Sequence, residues 1–514
     1  MGRSVGIDLG TTYSAVAVVD DFGKPVVLKN ADGQTTTPSV VFFDPPAYVV
    51  GETALQSTIS DSDRVVQFIK RFMGQPNYRV HIGDRSYSPE FISALILRKI
   101  VQDAQVELGD EITRAVITVP AYFTETQRHA TYEAGQLAGL QVMRIINEPT
   151  AAALSYGMNR VAGGHTKERK CLVYDLGGGT FDVTILSVGG DQLNVLSIGG
   201  DHRLGGKDWD DRIIAYIEEQ IQNEHKVDIG DDTELIAELR LKANTAKRQL
   251  SGRTSVPISM KVPSRDEDGT PTGTSIPIKI ELTRDIFNRI TADLLGRTEM
   301  LLRAVLDKAA MQWSDVDDVL LVGGSSRMPM VGEMIERVSG KKATLHDPDE
   351  CVAKGAALQA ALLDKDEHVP QVQVGHVLSH SLGVAVMANG QPTIDHIIPS
   401  LSPLPCTQVR HGYTTTVDNQ TFVQIRVYEG ESNDPESYGK GPVGVFELDT
   451  TPPRPKGRPN LSVAFRCDEN GRIMAVAKDR DTGRESRMTI TLQGSRSTDE
   501  ASEEAALMSE AQVS

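Results

Sequence analysis

Two stretches of the chain end an apolar run on an aspartate and follow it at once with glycines and hydroxyl residues. The first reads Gly6-Ile7-Asp8-Leu9-Gly10-Thr11-Thr12-Tyr13, the second Val173-Tyr174-Asp175-Leu176-Gly177-Gly178-Gly179-Thr180. A backbone without Cβ can aim consecutive N–H groups into one concavity, and threonine hydroxyls add donors, so each turn can cradle phosphate. Asp8 and Asp175 would repel that phosphate unless a hard cation lay between them. Mg²⁺ keeps waters that bridge carboxylates to phosphate oxygens, so two cradles with two acids imply a magnesium nucleotide. One such turn alone reads as a plain hairpin; the second copy reverses that reading. A third glycine turn, Leu320-Leu321-Val322-Gly323-Gly324-Ser325-Ser326-Arg327, follows an apolar run and precedes a helical pattern, which suits close approach to a nucleoside. P-loop chemistry is rejected, because Leu204-Gly205-Gly206-Lys207-Asp208 has Asp201 where that motif needs its first glycine and Asp208 where it needs Ser or Thr.

The elements that must position these turns are legible beside them. Ser14 to Val19 and Phe181 to Val188 are rich in Val and Ile, so each glycine turn joins two strands as a hairpin. Related copies this far apart predict a two-lobed α/β domain with its ligand held between the halves. Apolar spacing predicts helices over Asp211–His225, Asp232–Leu250 and Phe287–Met311. Around Pro370 the character changes. From Leu382 to Gln493 come short apolar runs, among them Phe422–Tyr428, Leu461–Phe465, Ile473–Ala477 and Met488–Leu492, broken by Gly, Pro and Asn/Asp turns, which is the pattern of an all-β sandwich. The boundaries are thus 1–365 for the nucleotide domain, 366–380 for a linker and 381–494 for the β domain, with 495–514 a polar, acidic tail expected to be disordered.

Composition limits the partners. Over 514 residues the net charge is −17, the wrong sign for broad neutralisation of a phosphate backbone, so nucleic acid is excluded as a main partner. Cys171, Cys351, Cys406 and Cys467 are far apart in sequence and form no CxxC, which fits neither a disulfide framework nor a zinc site and points to a reducing cytoplasm. The first residues lack the apolar stretch of a signal peptide, and no run of about 18 uncharged apolar residues occurs, so no membrane span is expected.

Together the two hairpins, Asn147-Glu148-Pro149-Thr150-Ala151-Ala152-Ala153, Leu204 to Asp208 and Val322 to Pro329 resemble the seventy-kilodalton heat-shock chaperones, the DnaK family, from Val5 to about Gly494. The resemblance implies an actin-like ATPase fold with ATP or ADP and Mg²⁺ as its ligands. It implies that Asp8 and Asp175 hold the Mg²⁺ shell through water, while Gly10, Thr11, Thr12, Tyr13, Gly177, Gly178, Gly179 and Thr180 wrap the phosphates. Lys70 would lie near the γ-phosphate, with Glu148 or Asp182 orienting the attacking water, since phosphoryl transfer is mainly positioning plus electrostatics. Lys247, Arg248 and Ser251 match the nucleoside contacts, Arg327 would stack on the base, and Asp349, with Gly205, Gly206, Gly323, Gly324 and Ser325, would complete the pocket. Asn244 departs from the family, which has a ribose-touching glutamate there; an amide still hydrogen-bonds a hydroxyl.

Pro120 and Arg128 match the family's relay from nucleotide to linker. The linker itself departs: Val372-Gln373-Val374-Gly375-His376 replaces a valine and three leucines, which predicts weaker docking from lost apolar area. Leu382-Gly383-Val384, Asp418-Asn419-Gln420, Val427 to Glu431 and Asp468 to Gly471 resemble the family's peptide-binding domain, and alignment from these anchors puts Val384, Met387, Tyr413, Val423 and Ile425 around an extended peptide. The family's helical lid is not expected within this chain. Unfolded polypeptides, a J-domain co-chaperone and a nucleotide-exchange factor are the partners implied. The function expected is an ATP-hydrolysing chaperone. A scaffold with weak ATPase activity, motivated by the linker and Asn244, is the alternative, and a small-molecule kinase ranks last because a β domain has no use there.

Overall fold

The computed structural model describes residues 2–514 except Pro76, 163–166, 266–270, Lys440, Asn470 and 490–497. Both aspartate turns form as hairpins. Strand Arg3–Asp8 pairs antiparallel with Tyr13–Val19, placing Asp8 opposite Ala15, and parallel with Ile112–Val119, itself parallel to Gln141–Asn147. Strand Arg169–Leu176 repeats the arrangement, antiparallel to Phe181–Gly189 with Asp175 opposite Asp182 and parallel to Asp318–Val322. Each aspartate thus ends a central strand whose apolar residues are buried on both faces, which fixes the carboxylate at a sheet's edge.

Helices Glu148–Ala162 and Cys351–Asp364 pack between the two sheets, and their contact is close enough to need glycine. A Cβ on Gly355 would stand 1.8 Å from the Ala151 carbonyl oxygen, and one on Gly6 would stand 1.9 Å from the Ala357 nitrogen. Alanines on both helices and strand residues from both sheets share this middle core. The expected helices are present as Gly206–His225 and Thr233–Leu250, the latter capped by the Asp232 side chain on the Leu235 N–H. The third is broken into Arg284–Ile290 and Ala292–Lys308 at the buried Thr291, whose hydroxyl bonds back to the Phe287 carbonyl at 2.8 Å.

From Leu382 to Thr489 the described elements are strands and one short turn of 3₁₀ helix. They form two four-stranded antiparallel sheets that share one apolar core, with Val384, Ile425 and Val427 from one and Val463, Phe465 and Ala475 from the other. The run expected over Met488–Leu492 is shifted, its strand being Glu485–Thr489, and 490–492 lie outside the described residues.

One expectation is corrected. The segment expected as a disordered tail folds, with 495–497 outside the described residues: helix Thr498–Glu510 leads into Gln512–Val513, which pairs parallel with Ala47 and Tyr48. Met508 and Ala511 are buried in the first core, and the Glu504 carboxylate accepts both the N–H and the hydroxyl of Ser88 at 2.9 Å. Low mean hydropathy hid a few residues that each meet a specific partner. The linker lies against the N-terminal half: Gln373–Gly375 adds a parallel edge strand beside Gln192–Asp201, with Val372 and Val374 packed against the middle core. Among the described residues no helix is long and apolar enough to cross a membrane.

Candidate functional site

Between the two hairpins lies a cavity of about 800 Å³, inside the usual range for small-ligand sites. The turns interlock across it. A Cβ on Gly178 would stand 2.2 Å from the Thr12 hydroxyl, and one on Gly179 would stand 2.3 Å from the Thr11 methyl. The start of helix Gly206–His225 closes on the second turn, its Gly206 and Lys207 N–H groups donating to the Gly177 and Gly178 carbonyls at 2.9 and 2.8 Å. Gly205 has no room for a side chain there, since a Cβ would stand 2.5 Å from the Gly179 nitrogen.

Asp8, Glu148 and Asp175 line this cavity with Lys70. Lys70 and Glu148 are both buried and form an ion pair. Lys70 is delivered by the turn at Phe68, which holds a left-handed φ of 59° while Lys207 lies 5.5 Å over its ring. The acids outnumber the cation, and their protonation reflects it. Burial first, then Glu148, pushes the Asp8 carboxyl up to about 7, against Lys70 and a 3.0 Å bond from the Thr118 hydroxyl. Burial followed by Glu148, Asp182 and Asp8 raises Asp175 well above the usual carboxylate range. Asp182 is pushed up to about 8, chiefly by burial and then by Glu148. It does not line the cavity; its carboxylate accepts the Tyr122 N–H at 3.0 Å behind the hairpin. Among the described residues no three His, Cys, Asp or Glu stand close enough to ligate a metal directly.

The far side of the cavity is lined by Lys247, Arg248, Ser251, Gly323, Gly324, Ser325, Arg327 and Asp349. Lys247 donates to the Gly206 carbonyl at 2.7 Å and to Asp210 at 2.9 Å, and Arg248 reaches the Tyr13 hydroxyl at 3.4 Å from the opposite half. Gly323 has φ 77°, and a Cβ there would stand 2.5 Å from an Asp175 carboxylate oxygen. Arg327 and Asp349 pair with each other. Asn244 donates to Asp210 at 3.0 Å, so its amide is already engaged on the protein side of the cavity wall.

Two residues here carried no role in the sequence reading. Arg71 donates to the Gly179 carbonyl at 3.0 Å and to Asp208 at 2.5 Å, bridging the halves beside the glycine turns. Asp210 gathers Lys247 and Asn244. The signal for Arg71 was its place next to Lys70; Asp210 had none short of the fold.

This cavity, with its paired turns and buried lysine, is the setting for the comparison with known proteins. The model for "Hsp70 protein" matches residues 4–81 and 75–514. The chain belongs to the Hsp70 family. The "Chaperone protein DnaK" of Thermosipho melanesiensis is 41% identical over 491 residues, which is 95% of this chain and 80% of that relative. Its function is accordingly of the Hsp70 chaperone type.

In this Hsp70 chain Pro120 and Arg128, expected to relay, and the residues expected to contact peptide lie at or in the β region. Pro120 is buried, and Arg128 donates to Asn147 at 2.5 Å and to the Ile145 carbonyl at 3.1 Å. Around them the β region is docked: the Glu125 N–H donates to the Glu429 carboxylate at 3.0 Å, the Ser379 hydroxyl to the Ala121 carbonyl at 2.8 Å, and His380 meets the Tyr122 carbonyl at 3.1 Å. Val384 and Ile425 are buried in the β core, with Val423 and Tyr413 packed at its margin; the Tyr413 hydroxyl donates to Asp395 at 2.6 Å. Met387 is not brought to them. It is 55% exposed, and its odd spacing from Val384 on one regular strand turns it to the other face of the sheet.

Proposed function

We propose that this chain is a two-lobed, actin-like ATPase joined to a β-sandwich that holds extended apolar segments of unfolded proteins, the two coupled through the contact around Glu125 and Arg128. The observation that carries the reading is the interlock of the two turns, Thr11 and Thr12 against Gly178 and Gly179, around a cavity in which Asp8, Glu148 and Asp175 gather about Lys70. ATP or ADP would occupy it with the phosphates over Gly10–Tyr13 and Gly177–Thr180 and the nucleoside against Lys247, Arg248, Ser251 and Arg327. Mg²⁺ would supply the positive charge that offsets Asp8 and Asp175 and polarise the phosphates. Lys70, kept in place by Glu148, presents a fixed cation to the charge that grows on the transferred phosphoryl group. Glu148, which lines the cavity, is better placed than Asp182 to orient water, because Asp182 is turned toward Tyr122.

In the β region, Val384, Val423, Ile425 and Tyr413 supply the apolar floor for a peptide side chain, and the peptide backbone would add hydrogen bonds at the sheet edge. A J-domain co-chaperone and a nucleotide-exchange factor are the partners this cycle calls for. The test is steady-state ATP turnover by the wild type and Lys70→Ala, each with and without a leucine-rich peptide. The wild type should turn over and accelerate with peptide, while Lys70→Ala should lose on the order of 10²- to 10³-fold in kcat. A wild type without turnover, or a Lys70→Ala variant as fast as wild type, would contradict the reading.

A further inference from the structure

Although its cysteines are distant in sequence, the fold brings two of them face to face. Cys406 begins strand Cys406–Tyr413 and Cys467 ends strand Leu461–Cys467, and the antiparallel register sets one directly opposite the other. Residues so paired have Cα atoms about 4.5 to 5.5 Å apart, within the roughly 4.4 to 6.8 Å that a disulfide spans. Burial raises both thiols above the usual cysteine range, and each feels the other. Cys467 is fully buried and Cys406 is half-buried, so one sulfur can meet a reagent from solvent while the other is sheltered behind it. Cys171 differs, its buried thiol lying 3.7 Å from the Asp318 carboxylate.

The pair sits where the β region meets the rest of the molecule. Just ahead of Cys406, Pro403 bridges to Val377 and the Leu404 N–H donates to the His376 carbonyl at 2.9 Å, both partners being linker residues. The turn that follows Cys467 reaches the N-terminal half, where Glu469 pairs with Arg144 at 3.1 Å and the Arg472 guanidinium lies 6.0 Å over the Tyr132 ring. A covalent bond between the two sulfurs would therefore join the footing of the linker to the docking turn.

We propose that Cys406 and Cys467 are a redox couple that closes to an intrachain disulfide and stiffens the linker's footing on the β region. The oxidant is a small disulfide of the glutathione class. The Cys406 thiolate attacks one of its sulfurs and expels one thiolate, which takes up a proton. The Cys467 thiol then attacks the Cys406 sulfur of the mixed disulfide and passes its proton to the thiolate it expels, which leaves as the second thiol. Two protein thiols are oxidised by two electrons, and one disulfide is reduced to two thiols. This rests on strand register and position, independently of the chaperone reading.

The test treats reduced, desalted protein with glutathione disulfide under native conditions, counts free thiols after denaturation, and maps linked peptides by mass spectrometry. Two of the four thiols should disappear, a Cys406–Cys467 peptide pair should appear, and dithiothreitol should restore both. Cys406→Ser, altered at a half-buried strand end and checked for an unchanged melting temperature, should form no linked pair. Four thiols retained in the wild type, or a mixed disulfide at Cys406 that never resolves, would overturn the couple. Proteolysis within 366–380 should slow several-fold on oxidation of the wild type and not in Cys406→Ser; equal rates in oxidised and reduced wild type would overturn the effect on the linker.

Discussion

The nucleotide cavity and the contact between the N-terminal half and the β region both bury carboxylates, but they balance them differently. In the cavity, Asp8, Glu148 and Asp175 face one lysine, and the excess is left for a ligand to offset. At the β contact, Glu125 and Glu429 meet Arg128 and a backbone N–H of the chain itself. The first arrangement is incomplete by itself and gains from a cation; the second is closed, and any change to it is a change within the protein. The two regions are distinguished by where the compensating charge comes from.

Arg128→Ala probes the closed joint most severely. It leaves buried carboxylates without their cation, and removing one partner of a buried pair costs about 3 to 5 kcal/mol. Interdomain distance measured by fluorescence transfer should show the β region released while the secondary structure persists; an unchanged distance would show that Arg128 does not hold the joint.

The same joint should respond to pH. Burial pushes Glu429 up to about 7, with the Glu125 N–H and Arg128 acting against it, and Glu125 is raised well above its usual range by burial, Glu429 and Asp468 in spite of Arg128 and Arg472. A carboxyl raised in the docked state binds its proton more tightly there, so docking is strongest below the ordinary Glu range and weakens as pH rises from about 4.5 through 7. The change is on the order of 3 kcal/mol for Glu429. The same distance measurement followed from pH 5.5 to 8 should report progressive release, and Glu429→Gln should flatten the profile. A profile equally steep in that variant would remove Glu429 from the account.

Arg71→Ala is the smaller perturbation, and it belongs to the open site. It removes charge-assisted bonds to Asp208 and to the Gly179 carbonyl, each worth about 1.5 to 3 kcal/mol. Titration with a fluorescent ATP analogue should show affinity reduced on the order of ten- to a hundred-fold with docking of the β region unchanged. Unaltered affinity would mean that Arg71 does not brace the two halves.

What could be read in advance follows the range of the interactions involved. The two glycine turns were legible because aspartate, glycine and threonine stand next to one another, and the hairpins they form are local. Strand–turn–helix order around Gly323 was legible for the same reason. The partnership of Cys406 with Cys467 depends on the register of two strands separated by most of the β region, which no local pattern encodes. The same holds for Glu504 on Ser88, where one carboxylate in a polar stretch finds the start of a distant helix. The linker's pairing with Gln192–Asp201 was not legible, because it joins strands far apart in sequence. Asn244 lines the cavity as its sequence position suggests, and only the fold shows its amide N–H donating to Asp210.

The central claim is that the cavity is completed by a nucleotide together with its cation. The direct measurement is calorimetric titration of the intact chain with ATP, once with Mg²⁺ and once with the metal chelated. The account predicts one site per chain whose affinity falls at least tenfold without Mg²⁺, with Asp8→Asn narrowing that difference. Equal affinity in both titrations, or no binding in either, would contradict it.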